Sequence, residues 1–185
     1  MKRCFVQLVC LGLLSISLMT HAQSIDFTRP KIVEQMWVVN DDVMGGISQS
    51  RVRADSEGVI IEGRVSLENN GGFASVRSTA VFNQDAATLE LKVRGDGKRY
   101  KFILRTDTSP RTPMYQAEFI APDTWTVVRF QPNDFKASFR GRAVAAPELV
   151  FSEVKEIGIL IADRQEGLFR IQWRYVRALS HLGDK

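Results

Sequence analysis

Polar and apolar residues alternate along most of the chain. Leu89, Leu91 and Val93 alternate with Glu90 and Lys92, and Tyr100, Phe102 and Leu104 with Arg99, Lys101 and Arg105. Tyr115, Ala117 and Phe119 alternate with Gln116 and Glu118, and Phe169, Ile171, Trp173 and Tyr175 with Arg170, Gln172 and Arg174. Successive side chains of a strand point to opposite faces, so a period of two marks half-buried strands. Further strand-like runs lie at 36–39, 47–53, 59–66, 73–79, 125–130 and 157–162. Turn-forming strings separate them: Asp55-Ser56-Glu57-Gly58, Asn69-Asn70-Gly71-Gly72, Gly95-Asp96-Gly97 and Gln165-Glu166-Gly167. About ten strands with regular turns predict an all-β sandwich or barrel. Short helical turns are expected within 34–37 or 132–135, and 136–150 reads as a long irregular connection. No repeat or linker divides the chain.

The first residues follow a different pattern. Lys2 and Arg3 precede an apolar stretch from Phe5 to Met19, and Thr20-His21-Ala22 ends on a small residue. This is the pattern of a secretory signal peptide cleaved after Ala22. The apolar run is short for a span, which needs about 20 residues. Residues 1–22 are therefore expected to be a leader and 23–185 a single exported domain, periplasmic or extracellular, with no transmembrane span.

Removing the leader narrows the chemistry. Cys4, Cys10 and His21 leave with it, so His181 is the remaining histidine. No disulfide, cysteine nucleophile or Cys/His zinc site is then expected. The formal charge of +4 loses Lys2 and Arg3 and becomes +2, too little for the strongly basic face of a nucleic-acid binder. Hydrophobic residues at 44% and charged residues at 25% argue against disorder and against a polytopic membrane protein.

Four polar clusters are candidates for chemistry. In Asn40-Asp41-Asp42-Val43-Met44-Gly45-Gly46, two carboxylates beside an amide suggest a hard-cation site, because calcium takes several oxygen ligands. The spacing is not that of an EF-hand, and a structural turn is the simpler reading. In the second cluster, Asn69 and Asn70 offer donors and acceptors and Arg77 a planar fork for a carboxylate. Here the simpler reading is a hairpin turn leading into a strand, with Arg77 exposed. Arg94-Gly95-Asp96-Gly97-Lys98 lacks the following helix that a phosphate loop requires. Asp163-Arg164-Gln165-Glu166-Gly167 reads as a charged hairpin loop, with an acid–base pair of Asp163 and Glu166 as a remote option. Most aromatics lie in phase with apolar neighbours and are assigned to the core. Arg170, Arg174 and Lys101 lie in the opposite phase and predict a solvated basic face able to dock an acidic partner.

The same strings together resemble the complex I intermediate-associated protein 30 family. Trp37 followed by Asn40-Asp41-Asp42-Val43-Met44-Gly45-Gly46-Ile47-Ser48 is similar to its opening motif. Leu67 through Arg77, Val93 through Phe102 and Ile157 through Phe169 are similar to its later motifs, in order, over about residues 25–179. The resemblance implies a galactose-binding-like jelly roll related to carbohydrate-binding modules. It also implies a non-catalytic assembly-factor or chaperone-like role without a cofactor, although a structural calcium is compatible with this fold. The implied partner is a protein, such as a respiratory-complex assembly intermediate, with a cell-envelope glycan as the alternative. Asn40, Asp41, Asp42, Asn69, Asn70, Arg77, Asp96, Asp163 and Arg164 are the candidate contact residues. Their competing role is to tie neighbouring loops together.

Overall fold

The computed structural model describes residues 23–180. The expected leader and His181 lie outside the described residues. The strands are β1 (Ser24–Asp26), β2 (Met36–Asn40), β3 (Gln49–Asp55), β4 (Gly58–Val65), β5 (Ala74–Thr79), β6 (Ala86–Gly95) and β7 (Arg99–Arg105). There follow β8 (Met114–Ile120), β9 (Thr126–Phe130), β10 (Lys136–Phe139), β11 (Arg142–Ala143), β12 (Glu156–Ile161) and β13 (Gly167–Ser180). All pairings are antiparallel.

One sheet runs β3-β4-β13-β6-β9, with β1 also paired to β13. The other runs β11-β10-β8-β7-β12-β5-β2. Most neighbours in these sheets are not consecutive in sequence, so the chain crosses repeatedly between them. The result is a sandwich of two antiparallel sheets, as the alternation predicts, with the jelly-roll connectivity that the family resemblance implies. The inner faces meet in one core, with the fully buried Trp173 at its centre. The ring of Phe27 lies 4.2 Å from Trp173 and that of Phe102 lies 6.1 Å away, so Trp173 joins the sheets through aromatic contacts.

Several details depart from the simple alternation. The pairing of β13 with β6 shifts register between Trp173 and Tyr175. This bulge reverses the phase, so Val176 and Ala178 point inward and Tyr175 faces out. Tyr175 is therefore outside the core, and its hydroxyl donates to Glu90 at 2.9 Å. Lys101 is buried and not part of a solvated basic face. Strand β7 is covered on both faces, and the Lys101 ammonium lies 2.7 Å from the Asp163 carboxylate and 3.6 Å from that of Glu118. The segment 136–150 contains the short pair β10 and β11, with Ser138 opposite Ala143. Single 3-10 turns occur at Ile32–Gln35 and Pro132–Asp134, close to the expected positions.

The register places the four motif loops at one end of the sandwich. Asn40 at the end of β2 pairs with Ala74 at the start of β5, and Ala74 pairs with Ile161 at the end of β12. Leu160 pairs with Lys101 near the start of β7. On the other sheet, Val65 at the end of β4 pairs with Gly167 at the start of β13. All four loops pass from one sheet to the other at this pole, so the connections at Asn69-Asn70 and at Asp163–Gly167 are crossings between sheets and not the expected hairpins.

Candidate functional site at the loop pole

The pole is organised around two polar knots. The first is built on Asp41, which is completely buried. Its carboxylate accepts the Ser48 amide at 2.9 Å, the Ser48 hydroxyl at 2.5 Å, the Gly72 amide at 2.6 Å and the Phe73 amide at 3.2 Å. The Ser48 hydroxyl oxygen in turn accepts the Ser66 amide at 3.0 Å. Burial alone would raise the Asp41 carboxyl. The Ser48 hydroxyl and the three amide donors outweigh it and hold the group below its ordinary value. Asp41 therefore binds the β2–β3 crossing to the β4–β5 crossing as a carboxylate. Asn40 extends the tie, accepting the Ser50 hydroxyl at 2.7 Å.

The local backbone is shaped to fit this carboxylate. A Cβ at Gly46 would lie 2.4 Å from the Asp41 Cγ, and one at Gly71 would lie 2.6 Å from its Oδ2. Gly45 takes φ +89, which completes the turn after the 3-10 helix Asp41–Met44.

The second knot joins the β6–β7 turn to the β12–β13 loop. Asp96 accepts the Tyr100 hydroxyl at 2.9 Å, the Lys98 amide at 3.2 Å and the Arg170 amide at 2.9 Å. Burial and the adjacent Asp96 raise the Tyr100 hydroxyl above the usual tyrosine range, so it stays a donor. The Gln165 side chain clamps Arg99 from both sides, donating to its carbonyl at 2.7 Å and accepting its amide at 3.1 Å. Asp163 and Arg164 both adopt positive φ in this loop. Gln165 and Ser48 are knot residues that composition did not single out. Both hold loops through backbone groups, and no side-chain pattern marks such contacts in a sequence.

Arg77 stands apart from the pole. It lies along β5, opposite Trp37 on one side and Gly158 on the other. Its side chain is only 12% exposed, and its guanidinium is 4.0 Å from Glu156, which also lies 3.6 Å from Arg105. The Arg77 Nε has no hydrogen-bond partner among the described residues. Burial and the neighbouring Arg105 lower its pKa, against the pull of Glu156.

The remaining candidates face solvent. Asp42, Asn69, Asn70 and Arg164 are exposed. Their side chains have no hydrogen-bond or ion-pair partner among the described residues. The same pole also exposes apolar side chains: Val43 at 69%, Met44 at 57% and Ile47 at 48% on the β2–β3 crossing, and Leu168 at 68% near the start of β13. Among the described residues, no group of three His, Cys, Asp or Glu side chains is gathered to hold a metal ion. No described helix is long and apolar enough to cross a membrane.

The comparisons with known proteins concern the same span. The family model for complex I intermediate-associated protein 30 matches residues 25–172. No curated protein matches the chain. Among solved structures, a family 11 carbohydrate-binding module from Clostridium thermocellum, bound to a β-1,3-1,4-mixed-linked tetrasaccharide, aligns with TM-score 0.60 and 11% identity. That alignment covers 86% of this chain and 98% of the module. The family 11 module of the cellulase Lic26A-Cel5E from the same organism aligns with TM-score 0.61 and 10% identity, over 87% of this chain and 97% of the module. An agarase aligns with TM-score 0.51 and 12% identity, over 84% of this chain and 26% of the enzyme. Identities this low establish a common fold and nothing about ligands.

Proposed function

The chain belongs to the complex I intermediate-associated protein 30 family, and from that membership we propose that it is a non-catalytic, assembly-factor-like module that binds other proteins through its loop pole. The observation that carries this reading is a division of roles within the motif loops. Asp41, Asp96 and Asp163 are engaged inside the protein by amides, hydroxyls and an ammonium. The residues between them, Val43, Met44, Asp42, Asn69 and Asn70, are left exposed. A rigidly held surface that mixes aliphatic and polar side chains suits a protein contact, in which an apolar centre excludes water and a polar rim sets register.

Export is part of the proposal and rests on the sequence of residues 1–22. The client is then a protein of the cell envelope. Cross-linking of tagged protein in its native envelope, followed by mass spectrometry, tests the reading. It is supported by a consistent protein client, a respiratory-complex subunit among the candidates. It fails if no protein rises above background.

A carbohydrate-binding module is the second reading. The half-buried Trp37 on the outer face of the β2-β5-β12 sheet, beside Arg77, favours it. The other tryptophans do not, since Trp173 is in the core and Trp125 lies beneath the guanidinium of Arg94 at 4.8 Å. Retention of peptidoglycan or polysaccharide without protein in the same experiment would move this reading to first place.

A further inference from the structure

We propose that a groove on the outer face of β3, β4 and β13 binds an acidic, leucine-bearing segment of the protein client. This inference rests on the protein-binding reading and adds a second contact surface beside the pole. The groove has a volume of about 660 Å³, and its lining includes Arg51, Glu62, Arg64, Asp96, Leu168 and Arg170. Arg53 adjoins it through Glu62.

The charges in and around the groove do not balance. Glu62 accepts Arg51 at 2.8 Å, Arg53 at 3.3 Å and Arg170 at 3.3 Å. One carboxylate cannot occupy three guanidiniums, each of which carries five N–H donors. Arg64 has no ion-pair partner among the described residues. Asp96 also faces the groove, but its oxygens already serve Tyr100, Lys98 and Arg170. Three guanidiniums thus share one carboxylate and the fourth has none, and their spare donors match further carboxylates in the planar, two-pronged geometry that arginine favours.

Three features select an acidic peptide among anionic partners. Three of the guanidiniums meet at Glu62 along one groove, a local cluster of donors that suits a short chain better than the plane of a bilayer. The only aromatic side chain in the lining, Phe169, is buried, so a sugar ring finds nothing to stack on. Leu168 stands exposed at the groove and offers an aliphatic contact that a purely polar polymer would not use.

Fluorescence anisotropy of the protein with a labelled peptide rich in Glu and Asp, with Leu interspersed, tests the proposal. Binding is expected, and it should weaken steeply with added salt. Arg64→Glu should weaken it about tenfold, and Leu168→Ser several-fold. Both side chains are exposed, so thermal melting should not change. Absence of binding overturns the proposal. So does equal binding of the peptide with Gln and Asn in place of its acids, an Arg64→Glu protein that binds as the wild type does, or capture of a heparin fragment or anionic vesicles in place of the peptide. The two readings separate in the cross-linking experiment. A client captured equally by wild type and Arg64→Glu removes the groove and leaves the pole, whereas loss of any client removes both.

Discussion

The Asp41 carboxylate accepts the backbone amide of Gly72 at 2.6 Å, across 31 positions of chain. The contact joins the loop that leaves β2 to the loop that enters β5, and it lies against Gly46 and Gly71, where a Cβ has no room. The aspartate and the glycines of two separate motifs are therefore one structural unit. It explains why strings so far apart in sequence need these residue types.

Asp41→Ala should cost about 3 kcal/mol or more, because it leaves a buried hydroxyl and three amides without their acceptor. Asp41→Asn keeps one acceptor oxygen but turns an amide donor toward other donors. It should lose nearly as much. Urea unfolding of both variants checks this, with the loss read from the midpoint at unchanged slope.

Gly46→Ala introduces a methyl 2.4 Å from the Asp41 Cγ. The carboxylate must move, and its four hydrogen bonds move with it. A loss of about 1–3 kcal/mol is expected, as for overpacking in a filled interior. Gly45→Ala tests a different cause, since open space surrounds that position and only the backbone at φ +89 is unfavourable. Its cost should be about 1–2 kcal/mol. In the double variant with Asp41→Ala, the Gly46→Ala penalty should shrink to what the remaining Cβ at 2.8 Å imposes, while that of Gly45→Ala should persist in full.

Asp41 also gives stability a definite pH dependence. Its folded-state pKa is below the ordinary value of 3.8. The unfolded chain therefore takes up the proton first, and the contribution is fully present above pH 3.8 and lost as pH falls through the folded value. The stability difference between wild type and Asp41→Ala should be constant from about pH 7 to 5 and shrink at lower pH. A difference that instead grows on acidification would contradict the charged state assigned to Asp41.

The jelly-roll class came only from the family resemblance. Strand content, an all-β sandwich or barrel and the four motif loops were legible in the sequence, because period-two alternation and Asn/Asp/Gly strings report directly on burial and turns. The outward turn of Tyr175 was not, since a bulge after Trp173 adds a residue without changing the local alternation. Nor was the burial of Lys101, which depends on Glu118 arriving from β8 and Asp163 from the β12–β13 loop. The sequence also placed Arg77 with the loop residues, whereas the strand carries it away from the pole onto a sheet face beside Glu156. Neighbours in sequence share a site only while the chain stays in the loop.

Asp42 and Asp41 adjoin in sequence and differ in role. Asp42 is exposed, so Asp42→Ala should change stability by less than about 0.5 kcal/mol. If the pole binds protein, the same substitution should reduce client capture. Thermal melting and cross-linking yield on one preparation measure both effects. Unfolding of Asp42→Ala would return this residue to the structural set.

The most direct test of the account is client capture by Val43→Asp and Met44→Asp, compared with wild type in the native envelope. Both side chains are exposed and outside the hydrogen-bonded knots, so the variants should fold and melt as the wild type does. The account predicts that they lose the cross-linked protein client. Capture of the same client at wild-type yield by both variants would contradict a binding surface at the loop pole.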